Sequence, residues 1–516
     1  MRVWRYESMN NIARDFLDIY KDNVFIDVVC DDVLPDGWPV QYAVWHSFNG
    51  GKQIESVEVL GSGSVDGNIT EEFEASKLNF LRVFQDQKKQ AAGIGVRLLG
   101  GGSSSTVLDL MAMPVLHEKI DWSEKPQIQL QYMTEIIDTY NGAEQRISLR
   151  DKPRLSVVYQ YSLFETDRYL FENKYLSQGG KVLLPLWPFQ SACDFNGNTA
   201  TLQSSNSYLQ CSDYWLISDN DGYSIARVEK QEGLDASLFF LVEKTLKKGS
   251  IAVPLFPASF SNESNSTTLS NFYETHSVIF NVDELSLNLP EIDLETLESI
   301  PDFVEYDADY DEFYTQNEKF ILPFSPDRSV DISTKYARLR EQFDPGMGLR
   351  HEYDRTNGAV RTFNFTFRFF SETDRQRFDD FARIVQGAQR EFYCESPSYG
   401  FDIVSDILEA SKTITVKDSK TIFNSSTAAT AIAISLYTNE KLYRKIDSIV
   451  DNGDGTQTIT VNQELPSTAL EQIVCATPLF LSRFEADDFL YNFDTTEIST
   501  ITKTIKQIIH AEHVRY

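Results

Sequence analysis

Histidine and cysteine, which often bind metals or act as nucleophiles, are scarce in this sequence. The 516 residues include six His and five Cys. The cysteines are odd in number and widely spaced, and no Cys-x-x-Cys pair occurs, so we expect reduced, buried thiols rather than a disulfide framework. His510 and His513 do not form the His-Glu-x-x-His pattern of a zinc protease, and no Gly-x-Ser-x-Gly nucleophile motif is present. These patterns predict no enzyme.

Long apolar runs are also lacking, and basic residues are far fewer than acidic ones. No stretch of eighteen apolar residues occurs, so we expect no membrane span. Met1–Glu7 carries no apolar signal region, and we expect folding in a reducing, soluble compartment. Lys and Arg number 47 against 77 Asp and Glu, which gives a formal net charge of −30. This charge argues against nucleic-acid binding and favours a surface that repels DNA, binds cations or basic partners, or keeps the chain soluble.

Residues 1–127 predict an N-terminal domain of mixed secondary structure. Strand-like runs occur at Val24–Val29 and Val40–Trp45. Helical spacing of apolar residues predicts helices at residues 12–20 and over Lys77–Gln90. We find no motif in this region that indicates a function.

Two glycine-rich segments of this region lack the pattern of a phosphate-binding loop. Gly100–Ser105 contains no Lys, which a Walker loop needs to reach the phosphates. Gly93-Ile94-Gly95 lacks the third glycine of a dinucleotide fingerprint. We therefore expect Gly100–Ser105 to be a flexible loop rather than a nucleotide site.

The strongest pattern in the sequence is a short repeat. Glu165-Thr166-Asp167-Arg168 returns as Glu372-Thr373-Asp374-Arg375. Each copy follows an alternating run that predicts a half-buried strand, and each precedes an amphipathic helix. Thr and Asp commonly cap a helix N-terminus, so we expect these eight residues to begin a helix rather than to form a chemical site. We expect each Arg to pair with a carboxylate on its helix or on a neighbouring subunit.

The correspondence between the two copies extends beyond the helices. In each copy a strand and then a set of β-strands follow, and Val253–Phe256 parallels Thr477–Phe480. One inserted residue, interpreted as a bulge, aligns the strands before the helices. Asp451–Thr456 has the turn chemistry of a hairpin. We therefore predict a β-rich α+β fold with two tandem units, copy 1 at residues 128–282 and copy 2 at residues 319–516, each with a strand-helix-strand element.

An acidic segment at residues 283–318 separates the two copies and predicts an interdomain linker. Four of its carboxylates imitate the ligand spacing of a calcium loop: Asp307, Asp309, Asp311 and Glu318. Glu312 stands where the sharp turn of such a loop needs Gly, and flanking helices are not evident. A solvated acidic linker is therefore favoured over a metal site. Carboxylate pairs are too numerous to single out a glycosidase pair, so we predict no catalytic residue and no cofactor.

Several short motifs resemble structural proteins of the distal tail of long-tailed, siphovirus-like bacteriophages. They are Glu144–Arg154 with the Tyr-rich strand and helix that follow, Leu184-Pro185-Leu186-Trp187-Pro188, and the stretch from Pro478–Phe484 onward. Copy 2 departs from the pattern, because Phe392–Pro397 stands in place of the Leu-Pro-Leu-Trp-Pro motif. The resemblance covers residues 128–270 and 318–505.

The resemblance implies a distal tail or tail-hub protein whose tail-tube-like unit is a small β-barrel or sandwich with one helix. Such a protein forms a ring that continues or terminates the tail tube and lines the DNA channel. A duplicated unit would let three chains form a pseudo-sixfold ring, and an acidic lumen would let genome DNA pass without specific binding.

The partners expected from the resemblance are further copies of the chain, in a trimeric or hexameric ring, with tail tube and tail tip or fibre proteins. The expected location is the virion tail, after assembly in the host cytoplasm. Two alternatives stay open: a tail-borne host-recognition or carbohydrate-binding protein, and a cell-wall hydrolase.

Overall fold

The computed structural model describes strands before residue 111 and most of the chain after it. The described residues are 24–28, 33–35, 40–46, 52–60, 63–66, 72–73, 79–85, 92–98, 101–108, 111–139, 143–150, 152–172, 181–196, 199–204, 206–219, 222–240, 249–270, 272–283, 289, 299–301, 318–338, 340–344, 346–347, 349–354, 358–397, 400–418, 429–438 and 440–509. The chain divides into two compact units. Unit 1 comprises residues 1–119, 162–205 and 212–276, and unit 2 comprises residues 120–161, 206–211 and 277–516.

The described residues before position 114 form strands. They are β1 (Val24–Val28), β2 (Val33–Pro35), β3 (Val40–His46), β4 (Lys52–Leu60), β5 (Gly63–Asp66), β6 (Glu72–Phe73), β7 (Asn79–Gln85), β8 (Ala92–Leu98), β9 (Gly101–Leu108) and β10 (Met111–Met113). They build two four-stranded sheets, in the orders β1-β3-β7-β5 and β6-β4-β8-β9, and a parallel pair of β10 with β2. Strands β1 and β3 confirm the two predicted strands. The helix predicted at residues 12–20 lies outside the described residues.

Two predictions for this region are wrong. The helix predicted over Lys77–Gln90 is replaced by β7, which pairs with β3 and β5. A short apolar run fits the period of a helix as well as that of a strand. Phe80, Val83 and Phe84 suit a pleated surface as well as a helix face. Residues 101–105 of the predicted loop Gly100–Ser105 instead belong to β9, which pairs with β8. Tertiary pairing overrides the weak strand propensity of Gly and Ser.

The next group of elements contains a closed barrel. Its members are β11 (Gln127–Gln131), β12 (Thr134–Asp138), β13 (Glu144–Ser148), β14 (Arg154–Phe164), α1 (Glu165–Phe171), β15 (Lys181–Pro185), β16 (Ser191–Asn196), β17 (Thr199–Leu202), α2 (Ser207–Cys211), β18 (Tyr214–Asp219), β19 (Gly222–Glu232), β20 (Asp235–Phe240), β21 (Ser250–Ser270) and β22 (Tyr273–Val282), with a 3-10 turn at Trp187–Phe189. In unit 1 the antiparallel pairs run β16-β17-β20-β19-β18-β21 and return to β16. Six strands thus close on themselves, and this barrel has no free edge.

The remaining elements lie in unit 2. They are β23 (Ser299–Pro301), β24 (Glu318–Phe320), β25 (Ser333–Ala337), β26 (Arg340–Phe343), β27 (His351–Asp354), β28 (Val360–Phe369), α3 (Glu372–Val385), β29 (Phe392–Glu395), β30 (Ser411–Lys417), β31 (Ala431–Leu436), β32 (Lys441–Asp451), β33 (Thr456–Leu465), β34 (Ile473–Phe484), β35 (Asp488–Phe493) and β36 (Ser499–Gln507), with a 3-10 turn at Leu470–Gln472. The fold is β-rich, as predicted. The turn between β32 and β33 confirms the predicted hairpin at Asp451–Thr456.

Unit 2 contains a second cycle of paired strands. It runs β30-β33-β32-β31-β34. Isolated bridges from Phe401 to Ala476 on β34 and from Ile403 to Val416 on β30 complete the cycle. The side chains inside it form an apolar core that includes Ile414, Ile434 and Val461.

An aromatic core lies beside α3 in unit 2. Every second residue along this part of β28 is buried, as the alternation predicts: Phe363, Phe365, Phe367 and Phe369. The amphipathic helix α3 adds Phe378, whose ring lies 5.1 Å from that of Phe367. Burying such rings removes large apolar areas from water, and edge-to-face contacts add to the stability.

The two helices of the repeat begin differently. Ser371 caps α3, because its hydroxyl accepts a hydrogen bond from the backbone N–H of Asp374 at 3.1 Å. For α1 the prediction that Thr166 or a neighbouring residue caps the helix with its side chain is wrong, because the N-cap position has no side-chain hydrogen bond. The N-cap residue is Phe164, and the N–H of Glu165 instead donates to the carbonyl of Phe272 at 2.9 Å. A neighbouring backbone thus replaces the cap.

Gly387 lies just beyond α3 with φ +67°, as expected for the residue that ends a helix. Within the described part of the chain, no helix has the length and apolar character needed to cross a membrane.

Candidate assembly surface

Two β-hairpins of unit 2 present apolar side chains to solvent. In hairpin A, formed by β12 and β13, the pairing places Glu135 opposite Ile147 and Ile137 opposite Gln145. Directly paired residues share a face of an antiparallel sheet. This face carries four exposed apolar side chains: Met133, Ile137, Ile147 and Leu149. Scattered exposed apolar residues are ordinary, but four on one hairpin face form a patch that another molecule can cover.

Hairpin B, formed by β26 and β27, is exposed on both faces. One face carries Phe343 opposite His351, and Tyr353 opposite Glu341. Phe343 is 66% exposed, and Met347 in the connecting turn is 90% exposed. A two-stranded hairpin alone is marginally stable in water. Hairpin B should therefore gain stability when a partner covers its exposed apolar side chains.

The other face of hairpin B is polar. Gln342 Nε2 donates to Glu352 Oε1 at 3.1 Å, and Arg340 lies 3.6 Å from the same carboxylate. Residues 333–354 contain equal numbers of basic and acidic side chains, namely Lys335, Arg338, Arg340 and Arg350 against Glu341, Asp344, Glu352 and Asp354. In a chain of net charge −30, this neutral segment is a place where two copies can approach with little repulsion.

Hairpin A is anchored through buried charges on β13. Glu144 Oε2 accepts a hydrogen bond from Arg483 Nε at 2.6 Å, and its Oε1 accepts from Arg483 Nη2 at 3.0 Å and from Lys506 Nζ at 2.7 Å. Burial alone would raise the pKa of Glu144, but these donors outweigh it and lower the pKa to about 2. Arg146 adds an ion pair with Glu391 at 3.0 Å. Hairpin A is thus fixed to β34 and β36, while its apolar face points outward.

Asp487 fixes the base of hairpin A. Its carboxylate accepts hydrogen bonds from the backbone N–H of Thr134 at 2.5 Å and of Ala388 at 2.8 Å. Gly387 lies so close that a Cβ there would meet Asp487 Oδ1 at 2.5 Å and Tyr132 Cβ at 2.9 Å. The helix end and the hairpin base therefore meet at a position that only glycine fits.

Among the described residues, the carboxyl group with the most strongly raised pKa lies in the core of unit 2. Burial raises the pKa of Asp379 on α3 to about 7. The tyrosines that lie near it, Tyr132, Tyr208 and Tyr491, are themselves fully buried and have raised pKa values for the same reason. Perturbed pKa values often mark active sites, but structural networks also perturb them. A carboxyl without access to solvent suits a structural role.

The residues of the sequence repeat occupy structural positions. Arg375, which is buried, pairs with Glu372 on its own helix at 3.4 Å and donates to the carbonyl of Thr496. This confirms the predicted pairing with a helix carboxylate. Arg168 pairs instead with Glu274 on β22 at 3.5 Å. The residues Thr166, Asp167, Thr373 and Asp374 lie in the first turns of α1 and α3.

Of the four carboxylates with the spacing of a calcium loop, Asp307, Asp309 and Asp311 lie outside the described residues, as do His510 and His513. Glu318, the last residue of the predicted linker, begins β24, which pairs with β23 inside that linker. Four cysteines are described as free thiols; Cys193 and Cys394 are buried, as predicted, whereas Cys475 is exposed.

Hairpins A and B were missed from the sequence. Hairpin B has few apolar residues and no sustained alternation, because neither of its faces packs against the protein. Its glycines at 346 and 348 gave a turn signal that could have located it.

No protein-family model and no curated protein matches this sequence.

Proposed function

We propose that this chain is a virion structural protein of a bacteriophage tail tip. It is built from two tandem tail-tube-like copies, at residues 128–282 and 319–516, and assembles into a ring around the DNA channel. The observation that supports this most is that strand pairings recur in the same order along the two halves of the chain. A duplicated unit with an exposed hairpin in each copy suits a closed cyclic assembly.

The recurrence begins before the helices. Val115 bridges Leu183 in parallel, and Ile321 bridges Tyr393 in the same way. The strand β11 pairs with β14, a hairpin follows, and β25 likewise pairs with β28 before hairpin B. The order is the same, and the offset from Val115 to Ile321 equals that from β11 to β25.

The recurrence continues through the barrel. After α1, β15 pairs with β21, and after α3, β29 pairs with β34. Between them, the six-strand cycle of the first copy and the five-strand cycle of the second have the same order of pairings, with the bridged segment 401–403 of the second copy in the place of β16. A tandem duplication explains this agreement more simply than independent origin of two equal topologies.

Ring assembly follows from the hairpins and the charge. Three chains carry six hairpins, one in each repeat copy. The arrangement is pseudo-sixfold when each hairpin covers the next repeat copy around the ring. The apolar faces of hairpins A and B supply contact area, and the neutral segment 333–354 lets copies of an acidic chain approach. The remaining acidic surface would face DNA in the channel and repel it.

The test is the mass of the purified chain in solution, measured by light scattering during size-exclusion chromatography. We expect three or six copies per particle at micromolar concentration, and ring-shaped particles in negative stain. Monomers at every concentration and salt condition would contradict the proposal. A glycan-array signal from such monomers would support the host-recognition alternative instead.

A further inference from the structure

Two carboxylates and a histidine of unit 1 converge at the end of α1. Glu172 follows the last residue of α1, while Glu274 and His276 lie on β22 with two-residue spacing and so share one face of the strand. One ligand atom from each residue lies within 4.8 Å of the other two, and His276 Nε2 lies 3.7 Å from Glu274 Oε1. These distances are short enough for one ion to contact all three.

His276 is buried without a hydrogen-bond partner among the described residues. Its side chain is 1% exposed, and neither Nδ1 nor Nε2 has a partner there. Buried polar atoms are normally paired, because an unpaired one has lost its hydrogen bonds to water without replacing them. The imidazole lies close to two carboxylates without a hydrogen bond, which is the arrangement expected when the missing partner is a cation.

An aromatic ring shields His276 from solvent. The Phe171 ring lies 5.5 Å from the imidazole and limits its access to water. An imidazole nitrogen that has no hydrogen-bond partner keeps a lone pair with which it can bind a metal ion.

Arg168 leaves one carboxylate oxygen available. Its Nε lies 3.5 Å from Glu274 Oε2, whereas Oε1 of the same carboxylate faces His276. Two carboxylates beside one guanidinium leave an excess negative charge, which a divalent ion would neutralise.

We propose that Glu172, Glu274 and His276 bind a divalent transition-metal ion of the Zn²⁺ class, which fastens the end of α1 to β22. Imidazole and carboxylate ligands suit zinc, and a tetrahedral site places neighbouring ligands about 3.3 Å apart, close to the distance between Nε2 and Oε1. The site is independent of ring assembly.

A metal at this position accounts for a difference between the two helices. The helix α3 has fourteen residues, the Ser371 cap and the buried Arg375, whereas α1 has seven residues and no side-chain cap. A short helix is unstable by itself. The ion holds α1 where packing and capping hold α3.

The test is zinc binding by the full chain after removal of metals with a chelator. Titration calorimetry and elemental analysis should give one tightly bound Zn²⁺ per chain. We expect His276→Ala, Glu274→Gln and Glu172→Gln each to weaken binding at least tenfold. The control His117→Ala removes a half-buried histidine that stacks on Tyr223 elsewhere in unit 1, and it should bind zinc as the original chain does.

Unchanged zinc affinity in the three ligand variants would overturn the proposal, as would displacement of Zn²⁺ by an equal concentration of Ca²⁺. Circular dichroism reports whether each variant folds. If His276→Ala does not fold, Glu172→Gln decides the matter, because Glu172 is only half-buried and glutamine keeps its shape.

Discussion

Glu144 and Arg483 form a two-point ion pair in which both side chains are 4% exposed. The pair joins hairpin A to β34 across more than three hundred residues of sequence. A two-point geometry fixes orientation as well as distance, so it holds the hairpin in one position.

Replacing Glu144 by Gln should destabilise unit 2 by about 3 kcal/mol, because Arg483 is left buried without its counter-charge. Urea unfolding at pH 7 measures the loss. The exposed pair of Arg350 with Asp344 provides the control, since Arg350→Gln should cost less than about 1 kcal/mol. Equal losses in the two variants would contradict a structural role for the buried pair.

The same carboxylate predicts an acid-sensitive anchor. The pKa of Glu144 is lower in the folded chain, about 2 against an ordinary 4.5. Its stabilisation is therefore complete above pH 4.5 and is lost as the pH falls toward 2. The stability difference between the original chain and Glu144→Gln should shrink over this window, as measured by urea unfolding at a series of pH values.

Asp379→Asn should show the opposite pH trend. The folded chain holds the proton of Asp379 up to pH about 7, whereas the unfolded chain releases it near the ordinary pKa of 3.8. The original chain therefore loses stability as the pH rises from about 4 to 7, and the variant lacks this loss. The stability of Asp379→Asn relative to the original chain should rise over that window by on the order of 4 kcal/mol. A flat difference would show that the carboxyl is not held protonated.

Gly387→Ala should be strongly destabilising. The new Cβ would clash with Asp487 and Tyr132, which have little room to move, in addition to the left-handed backbone. We expect a loss of about 3 kcal/mol or more in chemical unfolding. Gly453→Ala is the matched control, because Gly453 has φ +75° and open space around it. It should cost about 1 kcal/mol; a similar cost for both would mean that the close approach is unimportant.

Phe343→Asp should reduce ring formation without unfolding the chain. The charged side chain would have to be buried where hairpin B meets a neighbour. Light scattering should show a shift toward monomers at concentrations where the original chain forms rings. The control Tyr437→Asp changes an aromatic residue that is 73% exposed in a different turn, and it should leave assembly intact. Equal assembly by both variants would remove hairpin B from the interface.

The sequence predicts the parts of this fold that depend on local periodicity. The alternating phenylalanines of β28 and the apolar face of α3 were both evident, since one face of each is buried throughout. The Asp451–Thr456 turn was evident because its residues favour one backbone geometry.

The features that could not be predicted depend on pairing between strands that are far apart in the sequence. The pairing of β16 with β21 joins segments that are more than fifty residues apart, and no local pattern specifies which strands meet. For the same reason Glu172 was not linked to Glu274 and His276, although the two-residue spacing of the latter pair was visible. The strand β7 was mistaken for a helix because seven residues are too few to distinguish the two periods.

The central claim is that the chain forms a closed ring around a channel. Electron cryomicroscopy of the purified particles tests it directly by giving the symmetry, the copy number and the charge of the channel wall. We predict three chains in a pseudo-sixfold ring, or six chains, with an acidic lumen and with hairpins A and B buried between neighbours. Any other copy number, an open filament or a basic lumen would contradict this account.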